Sequence, residues 1–196
     1  PISGAYVKIL YEFEDSYGIP KGGSISEEGI TNITKILGHG VRVNNWSKDN
    51  GLRAIVGLNN VEPSAIVDGP FNGTISVEFD TTADISWLKA VMGYEEVRST
   101  TIKAYTKYTA PPSMSFLIYV TNDSVDPKKG DAFLLTGVII SEASFSIESG
   151  DNPVHVSLNC SYQTEYKFDN LDNIPIINSP LEQPFNYSMV NAYFWN

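Results

Sequence analysis

The residues able to do chemistry are few and poorly grouped. His39 and His155 are the only histidines, and neither has a cysteine or an acidic pair at metal-ligand spacing. No metal centre is expected. The carboxylates Glu12, Glu14 and Asp15, and Glu27 with Glu28, could pair as acid and base in the manner of a glycosidase. Acids at a strand end and on a loop are more often a solvated face, and that is the expectation here. No Gly-x-Ser-x-Gly elbow offers a serine nucleophile, and Cys160, the one cysteine, has no catalytic signature around it. Gly22-Gly23-Ser24 and Gly38-His39-Gly40 lack the Lys-Ser/Thr of a phosphate loop and the βαβ setting of a dinucleotide site. Both read as turns, and neither an enzyme nor a cofactor is expected.

Composition narrows the rest. The chain has 196 residues, 42% of them hydrophobic, enough for one sizeable core. Its 13 Lys and Arg stand against 23 Asp and Glu, a formal charge of -10, which disfavours tight binding to nucleic-acid phosphates. A lone cysteine excludes a disulfide framework, and its place on an apolar strand face reads as a buried structural thiol. The first residues, PISGAYVKIL, carry no basic segment followed by an apolar one, and no run approaches the ~18 apolar residues of a membrane span. A soluble chain without a sorting signal is therefore expected. Six Asn-x-Ser/Thr triplets begin at Asn32, Asn45, Asn72, Asn122, Asn159 and Asn186, and they matter only in a glycosylating cell.

The elements that would position any site are mostly strands. Val7, Ile9, Tyr11 and Phe13 alternate with Lys8, Glu12 and Glu14, as in a half-buried strand. Asp15 to Gly29 is a loop of turn formers, too long for a simple hairpin. Ile30–Ile36, Val41–Trp46 and Leu52–Leu58 are short strand candidates, the last two joined by a hairpin signal at Asn50-Gly51. Phe71 to Phe79 is another strand. One helix is expected over Asp84–Gly93, capped by Asp84 or Thr82, with Ile85, Leu88 and Met92 on one face and Gly93 closing it. Tyr94–Thr109 reads as a loop or exposed strand, and Ser113–Val120 as a strand. Beyond Phe168 a Pro-punctuated, aromatic stretch runs to Trp195, too apolar to lie in water alone.

Leu134 to Glu165 is the most patterned segment, two long strands joined by Gly-Asp-Asn-Pro. In the second, Val154, Val156, Leu158, Cys160, Tyr162, Thr164 and Tyr166 fall on one face, and His155, Ser157, Asn159, Ser161, Gln163 and Glu165 on the other. A long hairpin with one wetted face suggests a barrel or a sheet shared between subunits.

This hairpin resembles the SxSIExGDPVxVSLxxxxxTE-like block of phage and archaeal-virus tail tube proteins. Three further blocks follow the order of that family: Val61-Glu62-Pro63-Ser64 with Phe71–Phe79, then Trp87–Gly93 like its LLxxxLG helix, then Pro112–Phe116 like its PxSFxI strand. Pro184-Phe185 matches a C-terminal element. The resemblance implies a mainly β tail-tube fold, a β-sandwich or half-barrel with one flanking helix and long loops, in a single domain over residues 1–196. Residues 168–196 would dock on the core or on a neighbouring subunit. Six copies would form a ring with a shared β-barrel, and rings would stack into a tube that conducts the genome during ejection. It further implies that His155, Ser157, Asn159, Ser161, Gln163 and Glu165 face the lumen. Tyr17, Ile19, Lys48, Asp49, Phe185, Tyr193, Phe194 and Trp195 would contact the next ring. The partners implied are the chain itself, tape-measure and tail terminator or baseplate proteins, and a sheath in contractile tails. DNA would pass without specific binding, in a virion assembled in the host cytoplasm. Two alternatives stand beside this: the tube of a contractile injection system, and a secreted or surface β-sandwich that stacks glycans on Tyr105, Tyr108 and Tyr119.

Overall fold

The computed structural model describes residues 6–23, 30–50, 53–55, 65–67, 71–82, 84–97, 103–107, 111–121, 130–148, 152–168, 184 and 186. Its axis is a 17-residue strand, β10 (Gly130–Ser146). The first half of β10 pairs with β9 (Met114–Thr121) on one edge and β12 (Thr164–Phe168) on the other, whereas its second half pairs with β11 (His155–Tyr162). The change falls at a bulge, where the β9 register slips between Leu135 and Val138 and Gly137 takes a φ of 65°. A bulge sharpens the twist of a strand, and glycine adopts this backbone without strain.

Antiparallel neighbours extend both halves. β1 (Tyr6–Phe13) lies beside β9 and carries β2 (Lys35–Ile36), while β6 (Asn72–Asp80) lies beside β11 and carries β3 (His39–Asp49). The sheet order is β2-β1-β9-β10-β11-β6-β3, with β12 attached to β10. Two short ladders stand apart: β4 (Arg53–Ile55) with β5 (Ala65–Val67), and β7 (Gly93–Val97) with β8 (Lys103–Lys107). Among the described residues the fold is mainly antiparallel β, and one short helix is defined there.

One buried cluster joins Ile9, Tyr11, Phe116 and Ile118 of the first half to Ile75, Val77, Phe79, Val156 and Leu158 of the second. A second cluster occupies the opposite face of the first half, where Leu10, Leu117, Tyr119 and Leu134 are covered by Ile30 and Ile33. Hence β9 is buried on both faces and reads as a continuous apolar run rather than an alternating one.

Several expectations are corrected. Of Ile30–Ile36 only Lys35–Ile36 is strand, because Ile30 and Ile33, both fully buried, plug the second cluster from a turn. His39 and Gly40 open β3 instead of forming a separate turn, with Gly40 at a φ of 60° beside the first irregularity of that ladder. Among the described residues, Val41–Trp46 pairs within β3 with β6, and Arg53–Ile55 of the Leu52–Leu58 stretch pairs as β4 with β5. The helix, α1 (Leu88–Met92), is only five residues long, and Trp87 and Ala90 are its deeply buried residues in place of Ile85, Leu88 and Met92. Such a helix has too few hydrogen bonds to hold itself. It is held by Trp87, edge-on to Phe79, and by the Tyr11–Ser86 hydroxyl contact at 2.8 Å. Asp84 does accept the Ser86 N–H at 3.0 Å, and Gly93 closes the end at a φ of 90°. Tyr94–Thr109 contains the β7–β8 ladder. Past Phe168, Pro184 bridges Thr82 and Asn186 bridges Pro153, so both touch strand ends of the chain's own core. Among the described residues no helix is long and apolar enough to cross a membrane.

Candidate functional site

Alternation on β11 and β6 puts apolar side chains into the core and leaves a polar face on the other side. Across β10, β11, β6 and β3 the register aligns that face into rows. Ser146, His155, Asp80 and His39 form one row, Ser144, Ser157, Glu78 and Arg42 the next, and Glu142, Asn159, Ser76 and Asn45 a third. A fourth runs from half-buried Ile139 through Ser161 and Thr74 to Ser47.

Hydrogen bonds run along the rows. Ser76 Oγ donates to Asn159 Oδ1 at 2.7 Å, Asn159 Nδ2 donates to Glu142 Oε2 at 3.0 Å, and the Ser47 and Thr74 hydroxyls meet at 2.8 Å. His155 Nδ1 lies 3.0 Å from Asp80 Oδ1, and its Nε2 lies 3.8 Å from Glu78 Oε2. Glu142, Glu78 and Asp80 are the acids of these rows, against Arg42 as the one permanent cation. The result is a broad, small-residue surface, poor in cations, whose polar groups bond to one another. Among the described residues no group of three or more His, Cys, Asp or Glu is placed to hold a metal ion.

Four of the six residues expected on one face, His155, Ser157, Asn159 and Ser161, do share it. Gln163 and Glu165 do not. The strand breaks at Gln163, whose N–H donates to the Thr136 carbonyl at 2.9 Å, and the parity of the alternation reverses beyond it. Glu165 therefore pairs with Leu135, a residue of the main core, and Tyr166 packs on the second cluster. The Glu165 carboxylate, its side chain 13% exposed, accepts from Trp46 Nε1 at 3.1 Å, the Tyr162 hydroxyl at 2.9 Å and Lys48 Nζ at 3.1 Å. Burial first, then this carboxylate, pushes the Tyr162 phenol upward. Cys160 is buried, and burial pushes its thiol up to about 12.

Tyr17 and Ile19 are exposed, and Lys48 and Asp49 lie exposed at the end of β3. Phe185, Tyr193, Phe194 and Trp195 lie outside the described residues. Tyr119 is 5% exposed and is no stacking platform, while the side chains of Tyr105 and Tyr108 lie outside the described set.

Three features escaped the sequence. Glu14 is no solvated acid: its carboxylate accepts from Ser115 Oγ at 2.7 Å, the Gly137 N–H at 2.8 Å, the Gly18 N–H at 2.8 Å and Ser113 Oγ. It thus ties β1, the start of β9, the β10 bulge and the Tyr17–Ile19 turn together. Glu12 is likewise buried, with Lys35 at 3.1 Å and Lys21 at 3.7 Å. At the far end of β10, Phe145 and Ile147 are exposed. At its near end lies a cavity of about 310 Å³ lined by Trp46, Lys48, Val120, Asp131, Phe133 and Glu165. Only the alternation past Ser144 hinted at the exposed tip, and nothing local marked the cavity.

No protein-family profile matches the chain, and no curated protein does. Among solved structures it is similar to the SPP1 tail tube determined by solid-state NMR and cryo-EM, at 14% identity and a TM-score of 0.46 over 86% of this chain and 80% of that one. It is also similar to a chain of the anti-feeding prophage baseplate, at 11% identity and 0.47 over 86% and 95%. A type six secretion system protein aligns at 11% identity and 0.43 over 83% of each chain.

Proposed function

We propose that this chain is the repeating subunit of a hollow viral tail tube. The observation that carries the proposal is the four-stranded sheet, buried on one side and wet, small and cation-poor on the other. Its two margins support closure. Among the described residues β3 pairs only with β6, and β10 beyond Val138 pairs only with β11. Open edges of this length are normally paired or covered. Because the sheet has four antiparallel strands, β3 of one copy and the end of β10 of the next meet antiparallel, so each added copy continues the same ladder.

Six copies would contribute twenty-four strands. At ~4.8 Å spacing and ~40° tilt these close a barrel roughly 48 Å across between backbones, wide enough for duplex DNA. Rows of hydroxyls and amides with an excess of acids suit a lumen, because DNA sliding past them forms no phosphate contacts that must then be broken. Tyr17, Ile19, Lys48 and Asp49 would meet the next ring, together with the C-terminal aromatics. Tape-measure, terminator or baseplate proteins would meet the tube along its bore and at its ends, in a particle assembled in the host cytoplasm. Negative-stain imaging of the purified chain tests this: rings or tubes are expected, and a species that stays monomeric at high concentration would remove the proposal. The same barrel in a contractile injection system would carry protein cargo, which is distinguished by DNA content in the native particle.

A further inference from the structure

Among the described residues, two open apolar surfaces lie at opposite ends of one strand. At the far end of β10, Phe145 is 49% and Ile147 47% exposed. Phe145 pairs with Val156, so it points to the core side, but there the sheet outruns the core and the ring is left stacked on Trp87 at 5.8 Å with its other face open. Scattered exposed apolar residues mean little. Two exposed at one strand end, Phe145 within β10 and Ile147 just past it, make a patch. At the near end, Trp46 and Phe133 meet edge to face at 5.0 Å and, with Val120, wall the 310 Å³ cavity.

The chemistry of the cavity selects its occupant. Its volume is at the small end of the ~300–1,000 Å³ typical of ligand pockets, and its polar groups are already engaged: Lys48 with Glu165 at 3.1 Å, and Asp131 with Lys167 at 2.8 Å. Both carboxylates of the lining are thus already paired. What is open is aromatic surface, rimmed by the half-exposed ammonium groups of Lys48 and Lys167. A matching insert is apolar with an adjacent acid. Exposed Glu148 directly follows Ile147. Tip and cavity are different patches of the same chain, so their contact is heterologous and propagates rather than closing as a two-fold dimer.

We infer that Phe145 and Ile147 of one copy seat in the Trp46–Phe133 cavity of the next, with Glu148 beside Lys48 and Lys167, as a head-to-tail contact along the direction of β10. The inference rests on the tube assignment and gives it a specific joint. Cross-linking tests it with Ile147→Cys and Asp131→Cys, both surface positions; the native Cys160 is 3% exposed and stays silent. Thermal melts of both variants confirm folding first. Mild oxidation of the mixed variants should give a disulfide dimer at least ten-fold above either variant alone, and the double variant should give a ladder of oligomers. Phe145→Ser with Ile147→Ser should raise the concentration needed for assembly about ten-fold. Dimers of Ile147→Cys alone as abundant as in the mixture would mean a symmetric contact and overturn the inference. An intrachain disulfide in the double variant, or no ladder, would overturn it too. A ladder without tubes by negative stain would keep the contact and remove the tube assignment, whereas tubes without a ladder would do the reverse.

Discussion

The two halves of β10 belong to one strand yet live under different rules. In the first half, β9 and β10 are buried from both sides, with Phe116 and Leu135 in one cluster and Leu117 and Leu134 in the other. In the second half only one side is buried, and Ser144, Ser157 and Asn159 stand in solvent or half in it. The first half is therefore mainly a stabilising core, open only at its Asp131–Phe133 end. The second keeps a whole face for something else, at the cost of half the burial.

That contrast breaks first under core truncation. Leu117→Ala or Leu134→Ala should cost about 2–5 kcal/mol, the range for emptying a well-packed leucine site. Ser157→Ala, on the wet face, should stay within about 0.5 kcal/mol. Urea midpoints of the three variants measure the difference, and equal losses would mean that the polar face is packed against something in the folded subunit.

The seam between the halves gives the next effect. Glu14 supplies acceptors to four donors, including the N–H of the bulge residue Gly137. Glu14→Gln keeps the shape but turns an amide donor toward donors and removes the charge that strengthens each bond, for a loss of about 2–3 kcal/mol. Chemical denaturation with hydrogen exchange at Gly18 and Gly137 should show both amides losing protection. Unchanged exchange would mean that the bulge is held by the strands alone.

These two predictions also mark where sequence reasoning worked. From Val154 to Tyr162 the period of two fixes both faces, because each strand residue feels only its own pleat. The pattern fails at Gln163 because the break is set by partners far away in sequence: the Thr136 carbonyl, and Gly137 with Gly18, where any Cβ would run into the Gln163 side chain. Ile30 and Ile33 are β-branched and read as strand, but tertiary burial uses them as a plug. Glu14 looked solvated because its donors are a turn before the next strand, a strand start a hundred residues on and a bulge further still. Local pattern carries faces of strands, and it does not carry bulges or the groups that organise them.

Alternating faces of β11 differ in pH response as well. The Cys160 thiol, pushed up to about 12 by burial, remains protonated in the folded chain while the unfolded chain ionises near ~8.5. Above that value the unfolded state binds fewer protons, so stability falls as pH rises from about 8.5 toward 12, by about 2 kcal/mol at pH 10. Cys160→Ala should flatten the decline between pH 8.5 and 10. An alkylating thiol reagent at pH 8 should modify an Asn159→Cys, Cys160→Ala variant on the order of 100-fold faster than Cys160 itself. Comparable rates would place Cys160 at the surface.

The smallest effect on stability is the most informative about the wet face. Ser157→Arg with Ser161→Arg adds two cations where Arg42 is the one permanent cation of the four rows. Both positions are half exposed at their β-carbons' side of the sheet, so the folded subunit should lose no more than about 0.5 kcal/mol and assembly should persist. Within a tube the same change should be felt by anything anionic that passes. Each new phosphate contact steepens the salt dependence of DNA retention by about one unit of log K per log salt, so retention should be strong at 50 mM salt and nearly absent at 500 mM. Glu165→Gln, on the same chain segment but turned inward against Trp46 and Tyr162, should leave retention unchanged and lower stability instead. If Ser157 and Ser161 behave like Glu165, destabilising the subunit and leaving DNA indifferent, then the polar face is an interior surface of the assembly and not its channel wall.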